Sequence, residues 1–314
     1  VTIVRSTFAA SLLLILSACS QPVRRDTPTQ AKRVSRAADA PELAKVEGPK
    51  KRIWILDFTQ KTPSPPELSE VDVSAVLKQA LIETMREEED SAFLPVVADD
   101  TTLRELGITS ETSVPDAARI ARGSGVAGFL RADIVELGVR ETLDKEGLIQ
   151  ARQIVLSVGL NFGLVDASTG REVARGLRRR ELSETRSDFL GLQSRLGESQ
   201  KKLALAGKGL GLWLLRDLNL QAHKVGWAGR VLKVEGSRIY LNAGRSSGIN
   251  VGDVFKVVEE PRDVFDPQTE KFIGQAPGRV KGTSKVVEYF GLDGSVGLLQ
   301  SGGGVLPGDR VELF

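Results

Sequence analysis

The sequence is poor in the residues from which most active sites are built. Its 314 residues hold one cysteine, one histidine, one methionine and two tyrosines, and aromatics make up 5%. A single cysteine excludes an intrachain disulfide framework. Cys19 and His223 alone cannot supply the three or four nitrogen and sulfur ligands of a zinc site, and a lone histidine is most often structural or solvated. Charge of one sign is lacking as well: 43 Lys and Arg stand against 41 Asp and Glu, a net charge of +2. Nothing in that balance points to a nucleic-acid surface. The apolar run over residues 8–16 is too short for a bilayer-spanning helix, which needs about 20 residues.

What is present begins at the N-terminus. Arg5 is the only charge among the first eighteen residues, and the apolar run follows it, then Leu16-Ser17-Ala18-Cys19. A basic start, a short apolar core and small residues at a cut site make a secretory signal. Leu-Ser-Ala-Cys resembles the bacterial lipobox. That resemblance implies a signal peptide over residues 1–18, cleavage before Cys19 and acyl chains on that cysteine, enough of them for stable membrane anchoring. Ser20, where an Asp would imply retention in the inner membrane, implies the outer one. An ordinary signal with a free thiol is the alternative. Val1 fits either an alternative start codon or missing upstream residues.

Residues 19–52 carry nine Lys or Arg against four acids, whereas the rest of the chain is mildly acidic. A basic tether suits an anionic membrane surface, and it suits a solvated linker nearly as well. Residues 20–50 are rich in Pro, Ala, Gln and charge, with few large apolar side chains, so residues 19–51 read as a lipidated cysteine followed by a disordered spacer.

Order is expected from residue 53. Ile53-Trp54-Ile55-Leu56-Asp57-Phe58 is apolar on both faces and fits an internal strand. Val73, Val76, Leu77, Ala80, Leu81, Thr84 and Met85 recur at helical spacing. A short strand over 93–97 carries Pro95, which suits an edge. Residues 114–121 then read as a helix and 126–137 as a strand. Two longer strands, 150–165 and 172–182, flank the turn composition Asp166-Ala167-Ser168-Thr169-Gly170. Ile154, Leu156, Val158, Leu160 and Phe162 give the first of them one buried face. Residues 193–220 are helical, with Leu196, Leu203, Leu205, Leu210, Leu214 and Leu215 as core contacts. The order βαβαβββα predicts an α+β fold whose first part, residues 52–222, is an α/β sandwich with a mixed, largely antiparallel sheet.

From Trp227 glycine becomes dense and alternation replaces helical spacing. Residues 225–314 are expected to form a small all-β, barrel-like domain. A weak repeat sits inside it: Gly248-Ile249-Asn250-Val251-Gly252-Asp253 against Gly304-Val305-Leu306-Pro307-Gly308-Asp309, each followed by an alternating strand. Glycine supplies positive φ in such turns and Asp can accept backbone amides there.

No catalytic constellation emerges. Gly207-Lys208-Gly209-Leu210-Gly211 follows no strand and lies in a helical pattern, so it is not a phosphate-binding fingerprint. Glu87-Glu88-Glu89-Asp90 and Arg178-Arg179-Arg180 read as a solvated helix end and strand edge. Asp253 and Asp309 each have a sufficient role in a turn. The chain is therefore expected to be non-enzymatic, with neither metal nor cofactor.

Two family resemblances cover most of the mature chain. Residues 52–58, the helix over 73–85, the 121–134 stretch and Phe162-Gly163-Leu164-Val165-Asp166-Ala167-Ser168-Thr169-Gly170-Arg171-Glu172-Val173 resemble the family of the curli secretion lipoprotein and the N-terminal domain of the Tol-Pal periplasmic protein. Residues 228–314 resemble the C-terminal domain of flagellar assembly protein T, through residues 248–257, Asp266-Pro267-Gln268-Thr269-Glu270, Gly278-Arg279-Val280 and Gly308-Asp309. The resemblances imply a lipid-anchored periplasmic scaffold or assembly factor of an envelope machine serving flagella, secretion or surface structures. Its implied partners are the membrane, through lipid on Cys19, other envelope-assembly proteins, and copies of itself in a ring. A curli-like channel and a polysaccharide- or peptide-binding lipoprotein are the alternatives. A channel would expose long hairpins to lipid. Here Arg152, Arg171, Glu172, Arg175, Arg178, Arg179 and Arg180 stand in the way, since a basic residue at the bilayer midplane costs about 2–4 kcal/mol.

Overall fold

The computed structural model describes residues 41–96, 103, 105–109, 112–144, 151–185, 195–270 and 272–314, all of which belong to one compact unit. Cys19, its signal and most of the segment read as a spacer lie outside the described residues.

The first part is a mixed sheet. Strand β1 (Lys51–Ile55) lies between two parallel neighbours, β3 (Phe93–Pro95) and β4 (Gly128–Asp144). The two-residue strand β2 (Thr59–Gln60) runs parallel to β4 farther along. Two antiparallel additions, β5 (Ala151–Asp166) and β6 (Glu172–Thr185), complete the order β3-β1-β4-β5-β6. Pro95 sits on the β3 edge, where its missing N–H costs no ladder bond. β4 runs seven residues past the expected end at 137, held by register to β5 from Gly128↔Asp166 as far as Asp144↔Ala151.

Both faces of β1 are buried, as its unbroken apolar run requires. Ile53, Ile55 and Phe58 join one core with helix α1 (Val73–Glu87) and helix α3 (Arg195–Gln221). Trp54 and Leu56 join a second core with helix α2 (Val114–Gly123). Leu156, Val158, Leu160, Phe162 and Leu164 all point to the α1/α3 side. Asp72 caps α1 by accepting the Ala75 amide at 3.0 Å, and Ser113 caps α2, each satisfying one of the amides a helix start leaves open.

The glycines of 207–211 explain how α1 and α3 pack. A Cβ on Gly207 would stand 2.8 Å from the Ala80 Cβ, and one on Gly211 would stand 2.9 Å from the Thr84 Oγ1. Four residues apart on α3, they form a flat strip against which α1 closes. One expected core residue does not belong there: Leu205 is 46% exposed. The buried stripe runs through Leu203, Ala206, Leu210 and Leu214, and two residues on from Leu203 a helix has turned to its far side. Leu218 joins the core in addition.

The second part is a closed six-stranded barrel built from two three-strand repeats. The first comprises β7 (Gly229–Glu235), β8 (Arg238–Leu241) and β9 (Val254–Val258). The second comprises β12 (Val280–Phe290), β13 (Gly294–Gly302) and β14 (Arg310–Glu312). Each is a hairpin, then the Gly-aliphatic-x-x-Gly-Asp turn, then a strand that pairs with the first strand of the other repeat: β9 with β12, β14 with β7. Closure in the order β12-β13-β8-β7-β14-β9 leaves no free edge. Val231, Ile239, Phe255, Val257, Val286 and Val311 fill it, with Trp227 stacked on Phe255 at 5.2 Å. A separate hairpin, β10 (Arg262–Phe265) with β11 (Phe272–Ala276), is inserted between the repeats, and the 266–270 turn lies at its tip.

Candidate functional site

The part of the molecule where distant segments converge is the joint between sheet and barrel, and residues 41–52 run through it. Leu43 and Val46 pack on the α1/α3 core, and Asn219 on α3 donates to the Ala44 carbonyl at 3.3 Å. The Lys50 amide then donates to the Ser247 carbonyl of the barrel at 2.9 Å. The last ten residues of the segment read as spacer therefore have no regular structure but are fastened to both parts. At the next residue but one, the Arg52 guanidinium donates to the Asn242 carbonyl. Burial pulls this guanidinium below its usual range, and the nearby Asp293 carboxylate opposes that. Asp293 in turn accepts the amides of Gly244 and Ser247, each at 2.9 Å. The joint is thus a partly buried polar network, in which the Arg52 Nε has no acceptor among the described residues, and the value of such a network depends on how fully its members are paired.

Beside the joint lies an open cleft of ≈ 400 Å³, counted with the solvent space at its mouth. Arg122 from the end of α2 and Arg230 and Arg310 from β7 and β14 line it, with Glu260 the one carboxylate among the described lining residues. Arg122 gives its Nη1 to the Ala167 and Ser168 carbonyls, each at 3.1 Å. Arg230 lies 3.6 Å from Glu260.

The residues singled out by sequence are dispersed. His223 sits exposed in a 3₁₀ turn after α3. Asp253 and Asp309 hold their turns, and Lys281 reaches both Asp309 oxygens at 2.8 Å. The Arg178-Arg179-Arg180 run is on the edge strand, as expected, but is engaged: Arg178 bonds Asp217 of α3 through two nitrogens and Arg179 bonds Glu136 at 2.8 Å. Glu87 pairs with Lys208 at 3.0 Å. Among the described residues no group of three His, Cys, Asp or Glu could hold a metal ion, and no helix is long and apolar enough to cross a membrane. The joint and cleft were invisible in the sequence because Arg52, Arg122, Arg230, Asn242, Glu260, Asp293 and Arg310 come from separate segments with no shared spacing.

The sheet's outer face beyond α2 is charged. Glu136–Arg179 and Arg140–Glu181 join β4 to β6 across the small outward residues Gly159 and Ser157 of β5. Among the described residues β6 ends the sheet, with Leu177 41% exposed and Arg178 and Arg216 flanking the Trp213 ring at 5.8 and 5.4 Å.

No family model matches the chain, and no curated protein does. Solved structures do. A hypothetical protein from Chlamydia trachomatis is 12% identical with a TM-score of 0.35, over 55% of this chain and 98% of its own. A lipoprotein from Neisseria meningitidis is 16% identical with a TM-score of 0.31, over 49% of this chain and 96% of its own. A PelC dodecamer from Paraburkholderia phytofirmans is 15% identical with a TM-score of 0.27, over 57% of this chain and 92% of its own. The neighbours thus include bacterial lipoproteins. At these identities and scores nothing about function passes from them to this chain.

Proposed function

We propose that the protein is a lipid-anchored, non-enzymatic scaffold or assembly factor of a cell-envelope machine, held by acyl chains on Cys19 to the outer membrane and facing the periplasm. The observation that carries this reading is the fastening of residues 41–52 to both parts of the body. A tether that ends by clamping sheet to barrel presents the two as one rigid piece at the membrane. The Leu-Ser-Ala-Cys motif supplies the anchor, and the resemblances of residues 52–222 and 228–314 supply the envelope setting. The charged pairs on the outer face of β4, β5 and β6 weigh against a lipid-inserted channel, because lipid would strip them of water. Self-association is assigned to the α/β part, through the β6 edge.

The anchor is tested by Cys19→Ser, which is expected to abolish incorporation of radiolabelled fatty acid and release the protein from membranes. Labelling that survives the substitution would sink the reading. The assembly role is tested by sedimentation of the detergent-solubilised protein. Oligomers are expected, and Leu177→Glu on the β6 edge should disperse them; a strict monomer at high concentration would favour a binding lipoprotein instead.

A further inference from the structure

We propose that the tip of the β12–β13 hairpin is a membrane-contact surface, which dips its leucine into the anionic phospholipid leaflet that holds the chain. The proposal rests on the lipid anchor at Cys19 proposed above. The tip is Gly291-Leu292-Asp293, and Leu292 is 97% exposed. Turn geometry does not call for a leucine. The first repeat closes its matching hairpin with Gly236-Ser237, and the glycine has positive φ in both, 61° at Gly236 and 59° at Gly291. A leucine so exposed buries nothing in the fold, and it leaves water only when something apolar covers it. Phe290 beside it, 37% exposed, continues the apolar surface.

The course of the N-terminal segment identifies the cover as a membrane. The Leu292 carbonyl accepts the Ser246 hydroxyl at 3.2 Å, and the carbonyl of the next residue, Ser247, accepts the Lys50 amide at 2.9 Å. The segment that leads back to Cys19 is therefore fastened beside the tip. From Cys19 to Pro41 the chain can extend at most about 75 Å, which keeps the body within reach of the bilayer. One leucine is too little to hold a protein on a vesicle from solution, but it is enough to orient a body already tethered there. The charges agree. Arg245 is exposed and lies over the Tyr289 ring at 4.9 Å, one residue from Ser246. The tip's own carboxylate is turned inward, where Asp293 accepts the Gly244 and Ser247 amides and the Ser247 hydroxyl. An apolar tip, a tyrosine and an arginine form a surface suited to the interface between acyl chains and anionic headgroups.

The test places one environment-sensitive fluorophore on Leu292→Cys or on Ser237→Cys in the full chain, reconstituted in vesicles of phosphatidylethanolamine and phosphatidylglycerol. An acylated Cys19 takes no label, and the parent chain treated in parallel reports any free thiol. Ser237 is the control because its carbonyl accepts the Leu299 amide at 2.8 Å. That puts it toward the far end of β13, about 15 Å along the strand from Gly294, whereas interfacial insertion reaches about 5–10 Å. Emission from position 292 is expected to shift to the blue and to be quenched by a lipid-borne quencher, while position 237 stays in water. Arg245→Glu should weaken the contact about tenfold or more in these vesicles, and far less in vesicles of phosphatidylcholine alone. Equal emission from the two positions in protein that floats with the vesicles would overturn the proposal and leave the anchor standing. So would quenching that Arg245→Glu leaves intact. Quenching at 292 in protein whose Cys19 takes label would keep the surface and remove the anchor. Protein that does not float at all would overturn both.

Discussion

Asp253 and Asp309 make the same hydrogen bond in the two halves of the barrel: each Oδ2 accepts the amide three residues earlier, Asn250 and Leu306, at 2.7 Å. The glycine before each has positive φ, 104° at Gly252 and 98° at Gly308. Each glycine amide donates to the first strand of the opposite repeat, at Val286 and Val231. The two turns are equivalent in backbone and differ in surroundings, for Asp309 is 4% exposed and bonded to Lys281.

That difference predicts unequal costs. Asp253→Ala removes one partly exposed acceptor and should cost about 1 kcal/mol. Asp309→Ala also strands the Lys281 ammonium, whose side chain is 17% exposed, and should cost about 3 kcal/mol or more. Urea denaturation of the two variants measures the gap; equal midpoints would show that the Lys281 pair adds nothing.

Helix α3 offers a test of close packing. Alanine for glycine within a helix ordinarily stabilises by about 1 kcal/mol. At Gly209 the new methyl would meet only the movable Arg180 side chain, so Gly209→Ala should be neutral or stabilising. At Gly207 it would meet the Cβ of Ala80 at 2.8 Å, which cannot swing aside. Gly207→Ala should therefore destabilise, and Gly207→Leu should cost about 1–3 kcal/mol, both read by thermal unfolding.

The ion cluster between α1 and α3 sets a pH dependence. Hydrogen bonds from Gln79 and Lys208 hold the Glu83 carboxyl below its ordinary 4.5, and those to Glu87 and Glu83 raise the Lys208 ammonium above its ordinary 10.5. The Glu83 contribution is complete above pH 4.5 and is lost as pH falls through the lowered value. The Lys208 contribution is complete below 10.5 and is lost as pH rises through the raised one. Lys208→Met should lower stability modestly at neutral pH, where exposed pairs contribute little, and leave the extremes unchanged, so that the alkaline flank flattens and the acid flank flattens in part, the Gln79 bond to Glu83 remaining. Denaturation midpoints taken across pH would show an unchanged profile if the pairs do not persist in solution.

The barrel closes on itself around its own core, so residues 225–314 expressed alone should unfold in one cooperative, β-rich transition. The joint should show in the whole protein as added stability: Arg52→Met removes the bond to Asn242 and leaves Asp293 without its nearby cation. A fragment without cooperative unfolding would mean that contacts with residues 41–52, and not closure, hold the barrel.

The sequence alone determined what depends on local pattern. The apolar run from Ile53 marked a strand buried on both faces, although the strand itself ends at Ile55; the alternation from Ile154 to Phe162 marked the face that meets the helices, and the two Gly-Asp turns were legible because positive φ and an amide-accepting carboxylate leave a fixed local signature. Leu205 lies outside the core because its two-residue spacing from Leu203 turns it to the far side of the helix, which its hydrophobicity alone does not register. Tertiary structure decided what depends on distance. It decided that Gly207 and Gly211 are a packing surface, that the repeats exchange their third strands and close a barrel, and that residues 41–50 are fastened down. It also set Arg122, Arg230 and Arg310 around one cleft. Those three are separated by long stretches of chain, and electrostatic interaction depends on separation in space, which no spacing in the sequence records.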